Sequence, residues 1–179
     1  MKHCLLACLF FFAFLATAQT INKLPFVEEK PTYTIWNGIY TLERIEYQLS
    51  YMVMRFKVSH LHHTTATLYT PDDASCWFLR DKKGQTYPLI AICNVRLNGK
   101  LLHTQLKKTT AIEDNPKVKK NEVTCDLYFG RLPDGVEQVD LIEGAANEGA
   151  MNAYHAYKIK IRPYPKFKRP MAEKGKMSQ

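Results

Sequence analysis

The 179-residue sequence predicts an all-β protein built as a two-sheet antiparallel sandwich of about eight strands. Three observations carry that prediction. From Trp36 onward, apolar side chains recur with a period of two rather than the helical period of about 3.6. Clusters of Pro, Asp, Asn and Gly separate the apolar runs. Between residues 36 and 163 no amphipathic pattern is long enough for an ordinary helix. A barrel satisfies the same pattern and is the alternative architecture.

At the N-terminus, Lys2, the apolar run Cys4 to Ala16 and the small residues Ala16-Thr17-Ala18 stand in the order of a secretory signal, which predicts residues 1–18 as a signal peptide. The apolar run of about 13 residues falls short of the roughly 20 that a membrane-spanning helix needs. Residues 19–35, with Pro25 and Pro31 and little periodicity, read as an extended leader. The domain itself is expected over 36–163.

Its first strands come from Ile45, Tyr47 and Leu49, then from Met52, Met54, Phe56 and Val58. The phase changes at Ser50-Tyr51, and a one-residue change turns every side chain to the opposite face, so a turn or bulge belongs there. Thr64 to Thr70 is rich in β-branched residues and stops at Pro71-Asp72-Asp73. Trp77 to Arg80 leads into Asp81-Lys82-Lys83-Gly84, where Gly84 supplies the positive φ that closes a hairpin loop. The return strand places Tyr87, Leu89, Ala91, Cys93, Val95 and Leu97 on one parity along a core, and Tyr87, Leu89, Ala91, Cys93 and Val95 are expected to be mainly core with Trp77 and Leu79.

Residues 98–121 break the pattern with Lys107, Lys108, Lys117, Lys119, Lys120 and a Glu113-Asp114-Asn115-Pro116 turn, and read as one long polar loop. Val123, Cys125, Leu127 and Phe129 then define a strand, and Val139 with Leu141 a shorter one beyond the turn Leu132-Pro133-Asp134-Gly135. A helical turn fits Ala145 to Ala153. The last strand carries Tyr157, Ile159 and Ile161, before Pro163 and Pro165 end the pairing. Residues 164–179 form a basic tail.

With hydrophobic residues at 46% and charged residues at 23%, the chain is not intrinsically disordered, and eight Gly and nine Pro exclude a collagen-like or linker protein. The formal net charge of +8 is concentrated at one end: residues 158–179 hold eight basic residues and one acidic, whereas residues 19–157 are balanced at 16 of each. Lys107 and Lys108 of the loop, with Lys166, Lys168, Arg169 and Lys174 of the tail, are the expected partner-binding residues. The partner they suit is an acidic envelope protein or an anionic membrane surface, although a purely solubilising tail has the same composition. Nucleic acid is not expected for an exported chain.

Loss of Cys4 and Cys8 with the signal leaves Cys76, Cys93 and Cys125, an odd number in a compartment that permits disulfides. Free thiols are expected, with a Cys93–Cys125 bond as the alternative. No Cys-x-x-Cys pair exists, which excludes a thioredoxin-like redox motif and a zinc ribbon. His60 and His62, at i and i+2 of an extended segment, share a face and with His63 are the best metal candidates; the local sequence offers no third ligand, which His103, His155 or the Asp72-Asp73 pair could supply only by folding, so no metal site and no cofactor is assigned. Neither is a catalytic residue, there being no Gly-x-Ser-x-Gly elbow.

The segment from Trp77 through Asp81-Lys82-Lys83-Gly84-Gln85-Thr86-Tyr87 to Leu89 resembles the hairpin of an immunoglobulin-like module found in secreted envelope proteins of Bacteroidetes. Cys125-Asp126-Leu127-Tyr128-Phe129-Gly130-Arg131-Leu132-Pro133, followed by Val139-Asp140-Leu141-Ile142-Glu143-Gly144, is similar to the later signature of that module. The likeness spans about Trp36 to Pro163. Such modules often precede a thioredoxin-like domain, and no such segment follows here. The resemblance implies an immunoglobulin-like sandwich, a periplasmic or surface location and an accessory or adhesive role, and it supplies no catalytic residue. It also marks out Glu143. Ending a strand before Gly144, its carboxylate is suited to accept backbone hydrogen bonds from the following loop, with ligand binding as the alternative role. Trp77, Gly84, Tyr87, Phe129, Glu143 and Gly144 are thus the expected structural residues.

The expected function is a non-enzymatic binding or assembly module of the bacterial envelope, working through sheet edges, the 98–121 loop and the tail. A metal-dependent or hydrolytic enzyme built on His60, His62 and His63 is the alternative.

Overall fold

The computed structural model describes residues 24–35, 40–61, 65–115, 117–118, 121–148 and 153–164, with the side chains of Ile35, His60 and Leu61 outside that description. The described residues are all-β. Twelve strands are joined by turns and by one short 3-10 turn at Ala145–Asn147, with no α-helix among them. None of the described segments is a helix long and apolar enough to cross a membrane.

In chain order the strands are β1 (Phe26–Glu29), β2 (Thr34–Ile35), β3 (Tyr40–Tyr47), β4 (Tyr51–Leu61), β5 (Thr65–Leu68) and β6 (Trp77–Asp81), then β7 (Thr86–Leu97), β8 (Lys100–Gln105), β9 (Thr110–Glu113), β10 (Asn121–Gly130), β11 (Gln138–Glu143) and β12 (Ala156–Lys160). Ten of them form one antiparallel sheet in the order β1-β3-β4-β10-β7-β6-β11-β12-β2, with β8 also on β7; β5 and β9 make a separate two-stranded ribbon.

Two separate sheets were expected, and β7 is the reason there is one. Its first residues pair with β6 and its last with β8, while β10 runs along its other edge. One strand therefore belongs to both halves. Laid flat, the path from β1 to β2 would be about 38 Å wide at ~4.8 Å per strand. Residues 30–33, which join those two edge strands, reach no further than about 17 Å. The sheet must therefore curl into an open half-barrel. Phe56 of β4 and Trp77 of β6 stand three strands apart, about 14 Å on a flat sheet, yet their ring centroids are 5.6 Å apart across the core.

Side chains close the seam between the two ends of the curl. The Tyr47 hydroxyl donates to Glu28 Oε2 at 3.2 Å and accepts the Arg162 amide at 3.0 Å, while Arg162 Nε binds Glu28 Oε1 at 2.9 Å. Tyr164 packs edge-on against Tyr47 with Arg131 over its ring, so the domain extends one residue past the expected boundary at Pro163. The expected leader is likewise part of the sheet over β1 and β2.

Alternation builds the core as expected in β3, β4 and β10, where Ile45, Tyr47, Met52, Met54, Phe56, Val58, Val123, Cys125, Leu127 and Phe129 are buried. The phase change at Ser50-Tyr51 is a tight turn between β3 and β4, closed by Gln48 N–H to Tyr51 O at 3.0 Å. Strand β7 departs from the expected parity. Its buried residues are Leu89, Ile92 and Val95, spaced by three, whereas Tyr87, Ala91, Cys93 and Leu97 are half-buried. Two bulges produce this spacing: Phe129 and Tyr128 face Leu89 and Ala91, skipping Ile90, and a second extra residue falls between Cys93 and Arg96. Asn94 absorbs the second with φ of 51°, in the left-handed region that Asn tolerates. Tyr157, also expected in the core, is half-buried.

Residues 98–121 are not one loop. They carry β8 and β9, which show no alternation because β8 has no deeply buried face and β9 buries only Ile112.

Candidate functional site

The structure sets apart two places: the outer edge at β8, and a polar niche at the end of β11. At the edge, β8 pairs with β7 and with no other strand among the described residues, so one row of its backbone N–H and C=O groups faces outward. Five of its six residues are exposed, including the large apolar Leu101 and Leu102.

The strand is nevertheless held in place at both ends. Asn98 and Gly99 form the tight turn from β7 with φ of 51° and 79°. Asn98 Nδ2 donates to Asn121 Oδ1 at 2.9 Å, and Asn98 Oδ1 accepts the Glu122 amide at 2.9 Å. Buried Asn121 also accepts the Asn115 amide and donates to the Asn115 carbonyl, binding the rest of the 98–121 segment to β10. At the far end, the Leu106 amide donates to Ile92 O at 2.9 Å. Flanking the edge are Lys100, Lys107 and Lys108, all exposed, and none makes an ion pair among the described residues; Lys107 Nζ reaches only Gln105 Oε1.

The niche lies where β6 and β11 end side by side. Glu143 is opposite Trp77 in register and is buried, with only 4% of its surface exposed. Its Oε2 accepts the Tyr154 amide at 2.7 Å, which closes the excursion from 144 to 153. Burial pushes the carboxyl up to about 7, only partly offset by that hydrogen bond. The Glu143 amide donates to His155 Nδ1 at 3.1 Å, so that nitrogen is unprotonated; Nε2, at 2.9 Å from the Asn147 carbonyl, carries the proton. Trp77 Nε1 donates to the Tyr154 carbonyl at 3.0 Å, and its ring stacks on Tyr154. Gly144 has φ of 60° and its amide donates to Cys76 O; a Cβ there would stand 2.9 Å from Ser75 Cα.

Other residues marked in the sequence are dispersed. Gly84, with φ of 82°, closes the β6–β7 turn through its amide to Asp81 O. Asp81 organises that turn, its Oδ1 accepting the Lys83 and Gln85 amides and its Oδ2 the Tyr87 hydroxyl; Tyr87 is thus a half-buried residue of β7 at the rim of the core and not a fully buried core residue. Phe129 is fully buried in β10. The main chain of His60 belongs to β4, while its side chain, His62 and His63 lie outside the described residues, as do Lys166, Lys168, Arg169 and Lys174. Among the described residues no three His, Cys, Asp or Glu side chains gather to hold a metal.

All three cysteines described are free. Cys93 is the cross-strand partner of Asp126, which puts it on the face of β10 opposite Cys125, contrary to the shared core parity read from the sequence. Two features had no signal in the sequence. The ion pair of Arg55 with Asp126 on the outer face joins residues 71 positions apart. His155, which the sequence offers only as a distant third ligand for His60 and His62, carries no local sign of its place beside Glu143.

Comparison with family models, with curated proteins and with solved structures gives no match to the chain. Class therefore rests on the fold itself: an all-β antiparallel protein whose ten-stranded curled sheet has edge strands at β1, β2 and β8 among the described residues.

Proposed function

We propose that the chain is a non-enzymatic binding module that takes a partner's extended strand along the free edge of β8. The observation that carries this reading is the combination at β8 of an outward backbone edge, exposed Leu101 and Leu102, and firm anchoring by Asn98 and Asn121. Pairing with an incoming strand supplies main-chain hydrogen bonds, and the two leucines supply apolar area. Lys100, Lys107 and Lys108, which make no ion pair among the described residues, favour a strand with acidic flanks and speed its approach at low salt. Within this reading the halves of the curled sheet on either side of β7 are the two sheets of an immunoglobulin-like sandwich, the exported chain acts in the bacterial envelope, and the basic tail adds electrostatic attraction to the same acidic partner.

Peptides test the reading directly. A panel of extended hexamers with alternating apolar residues, flanked by Glu or by Lys, is titrated into isotopically labelled protein. Glu-flanked peptides are expected to shift the amides of 100–105 and to lose affinity as salt rises. Substituting both Leu101→Lys and Leu102→Lys is expected to abolish the shifts while leaving the melting temperature unchanged, since both side chains are already exposed. Shifts confined to residues outside β8, or equal binding of both flank types at every salt concentration, would refute the reading.

A further inference from the structure

A cavity of about 220 Å³ opens at the Glu143 niche, lined among others by Thr65, Thr67 and Tyr69 on one side and by Glu143, Asn147 and Tyr154 on the other. We propose that this cavity binds a small primary ammonium ion, with the Glu143 carboxylate as its counter-charge. The argument starts from what Glu143 lacks. A buried carboxylate is ordinarily paired with a cation. Among the described residues no lysine or arginine pairs with this one or adds its charge to it. The nearby charged side chains Arg80 and Glu148 are bound to each other, with Arg80 Nη1 at 2.9 Å from Glu148 Oε2.

Nor does His155 fill the role. Its Nδ1 accepts a backbone amide and its Nε2 faces the Asn147 carbonyl, so neither ring nitrogen is turned to the carboxylate as a donor. The single amide of Tyr154 satisfies part of the acceptor capacity of a carboxylate with two oxygens.

The opposite wall suits the remaining needs of an ammonium group. Thr65, Thr67 and Tyr69 lie on the face of the ribbon strand away from buried Ala66 and Leu68, and their hydroxyl oxygens can accept N–H donors that the carboxylate does not take. A primary ammonium has three such donors in a tetrahedral array. A divalent metal is a poorer fit, because six or more oxygen ligands are usual for calcium or magnesium and the niche presents one carboxylate. At ~30 Å³ per water-sized group the cavity accepts about seven non-hydrogen atoms.

The experiment uses the full chain with ethanolamine as probe, sodium chloride at matched ionic strength as blank, and tetramethylammonium and ethylene glycol as controls. The expected result at pH 8 is saturable, millimolar binding of ethanolamine that perturbs the Thr65 and Thr67 methyl signals, with at least tenfold weaker binding of both controls. Glu143→Gln is expected to weaken ethanolamine at least tenfold. Thr67→Val, which leaves the carboxylate in place, is expected to weaken it several-fold and serves as the test if the glutamine variant fails to fold. Binding that is unchanged in folded Glu143→Gln, unchanged in Thr67→Val, or matched by tetramethylammonium overturns the proposal, as does absence of saturable binding.

Discussion

Arg55 and Asp126 meet on the outer face of the sheet in a two-pronged ion pair, Nε to Oδ1 at 2.7 Å and Nη2 to Oδ2 at 2.8 Å, with Asn94 donating to the same Oδ2 at 2.8 Å. Although on the solvent side, Asp126 is buried. Burial is the largest influence on its carboxyl and pushes it up, but the hydrogen bonds from Arg55 and Asn94 and the charges of Arg55 and Arg44 outweigh it and hold the group below its ordinary value. Asn94 reaches Asp126 from the β7 bulge, so the irregularity in one strand completes the pair formed by two others.

The two partners differ in what their removal leaves behind. Arg55→Met strands a buried carboxylate with only the Asn94 hydrogen bond and the more distant charge of Arg44, and should cost about 3 kcal/mol. Asp126→Asn leaves an arginine whose side chain is 30% exposed and can be rehydrated, for a cost of about 1–2 kcal/mol. Urea unfolding of both variants checks the order, and a larger loss in Asp126→Asn would contradict it. Because Asp126 has a lowered value, its stabilisation is complete above about pH 4 and fades as pH falls further.

Strand β7 gives the clearest test of side-chain direction. Ile92→Ala should destabilise by about 2–5 kcal/mol, as expected for a fully buried aliphatic, and Phe129→Ala by about 3–5. Ala91→Ser, half-buried on the other side of the bulge, should stay within about 1 kcal/mol. If Ala91→Ser proved the more costly of the two β7 changes, the strand would have the unbulged register.

The contrast between β7 and β10 shows what the sequence could reveal. Strand β10 lies between β4 and β7 over 123–129 and keeps one face in the core, so Val123, Cys125, Leu127 and Phe129 announced it. Strand β7 changes partners along its length, and its bulges are invisible because Ala91, Cys93 and Leu97 are apolar though not deeply buried. Edge strands β1 and β8 have no fully buried residue, and β2 is only two residues long, hence no core alternation to read. Of the niche, the sequence marked Glu143, Gly144 and Trp77, whereas Tyr154 and His155 reach it only through the fold. A pairing such as Arg55 with Asp126 is set by register across strands, which no local pattern encodes.

Thiol accessibility follows the same geometry. Burial raises all three thiols above the ordinary value, furthest for Cys125, which is enclosed in the core. Alkylation of the native protein should therefore label Cys76 and Cys93 and spare Cys125, while denatured, unreduced protein labels all three. Rapid native labelling of Cys125 would place β10 in the wrong phase.

Glu143 makes stability fall as pH rises over a window well separated from that of Asp126. In the unfolded chain its carboxyl titrates near 4.5, and in the folded chain near 7. Below about 4.5 both states hold the proton, between the two values only the folded state does, and above about 7 neither does. Stability should decline by about 2–3 kcal/mol between pH 5 and pH 7 and then level off. Glu143→Gln, whose Oε1 still accepts the Tyr154 amide, should flatten that decline. An equally steep decline in the variant would assign it to another group.

Two glycines with positive φ supply the last test, because only one of them is crowded. Gly84 has φ of 82° and nothing within 4 Å of a Cβ built upon it, so Gly84→Ala meets only the left-handed backbone penalty of about 1–2 kcal/mol. Gly144 adds contacts to that penalty, at 2.9 Å from Ser75 Cα and 3.0 Å from Asn147 Nδ2. The Asn147 amide can swing aside, but Ser75 Cα is backbone. Its chain is held by Gly144 N–H to Cys76 O and by Ser75 N–H to Asp73 Oδ1, so neither strand end can retreat without losing a hydrogen bond. Gly144→Ala should therefore cost about 2–4 kcal/mol, clearly more than Gly84→Ala. Adding Asn147→Ala removes the yielding contact and leaves the rigid one, so the double variant should recover no more than about 0.5 kcal/mol relative to the sum of its single changes. Full recovery in the double variant would show that Asn147, and not the Ser75 backbone, is what excludes a side chain at this position.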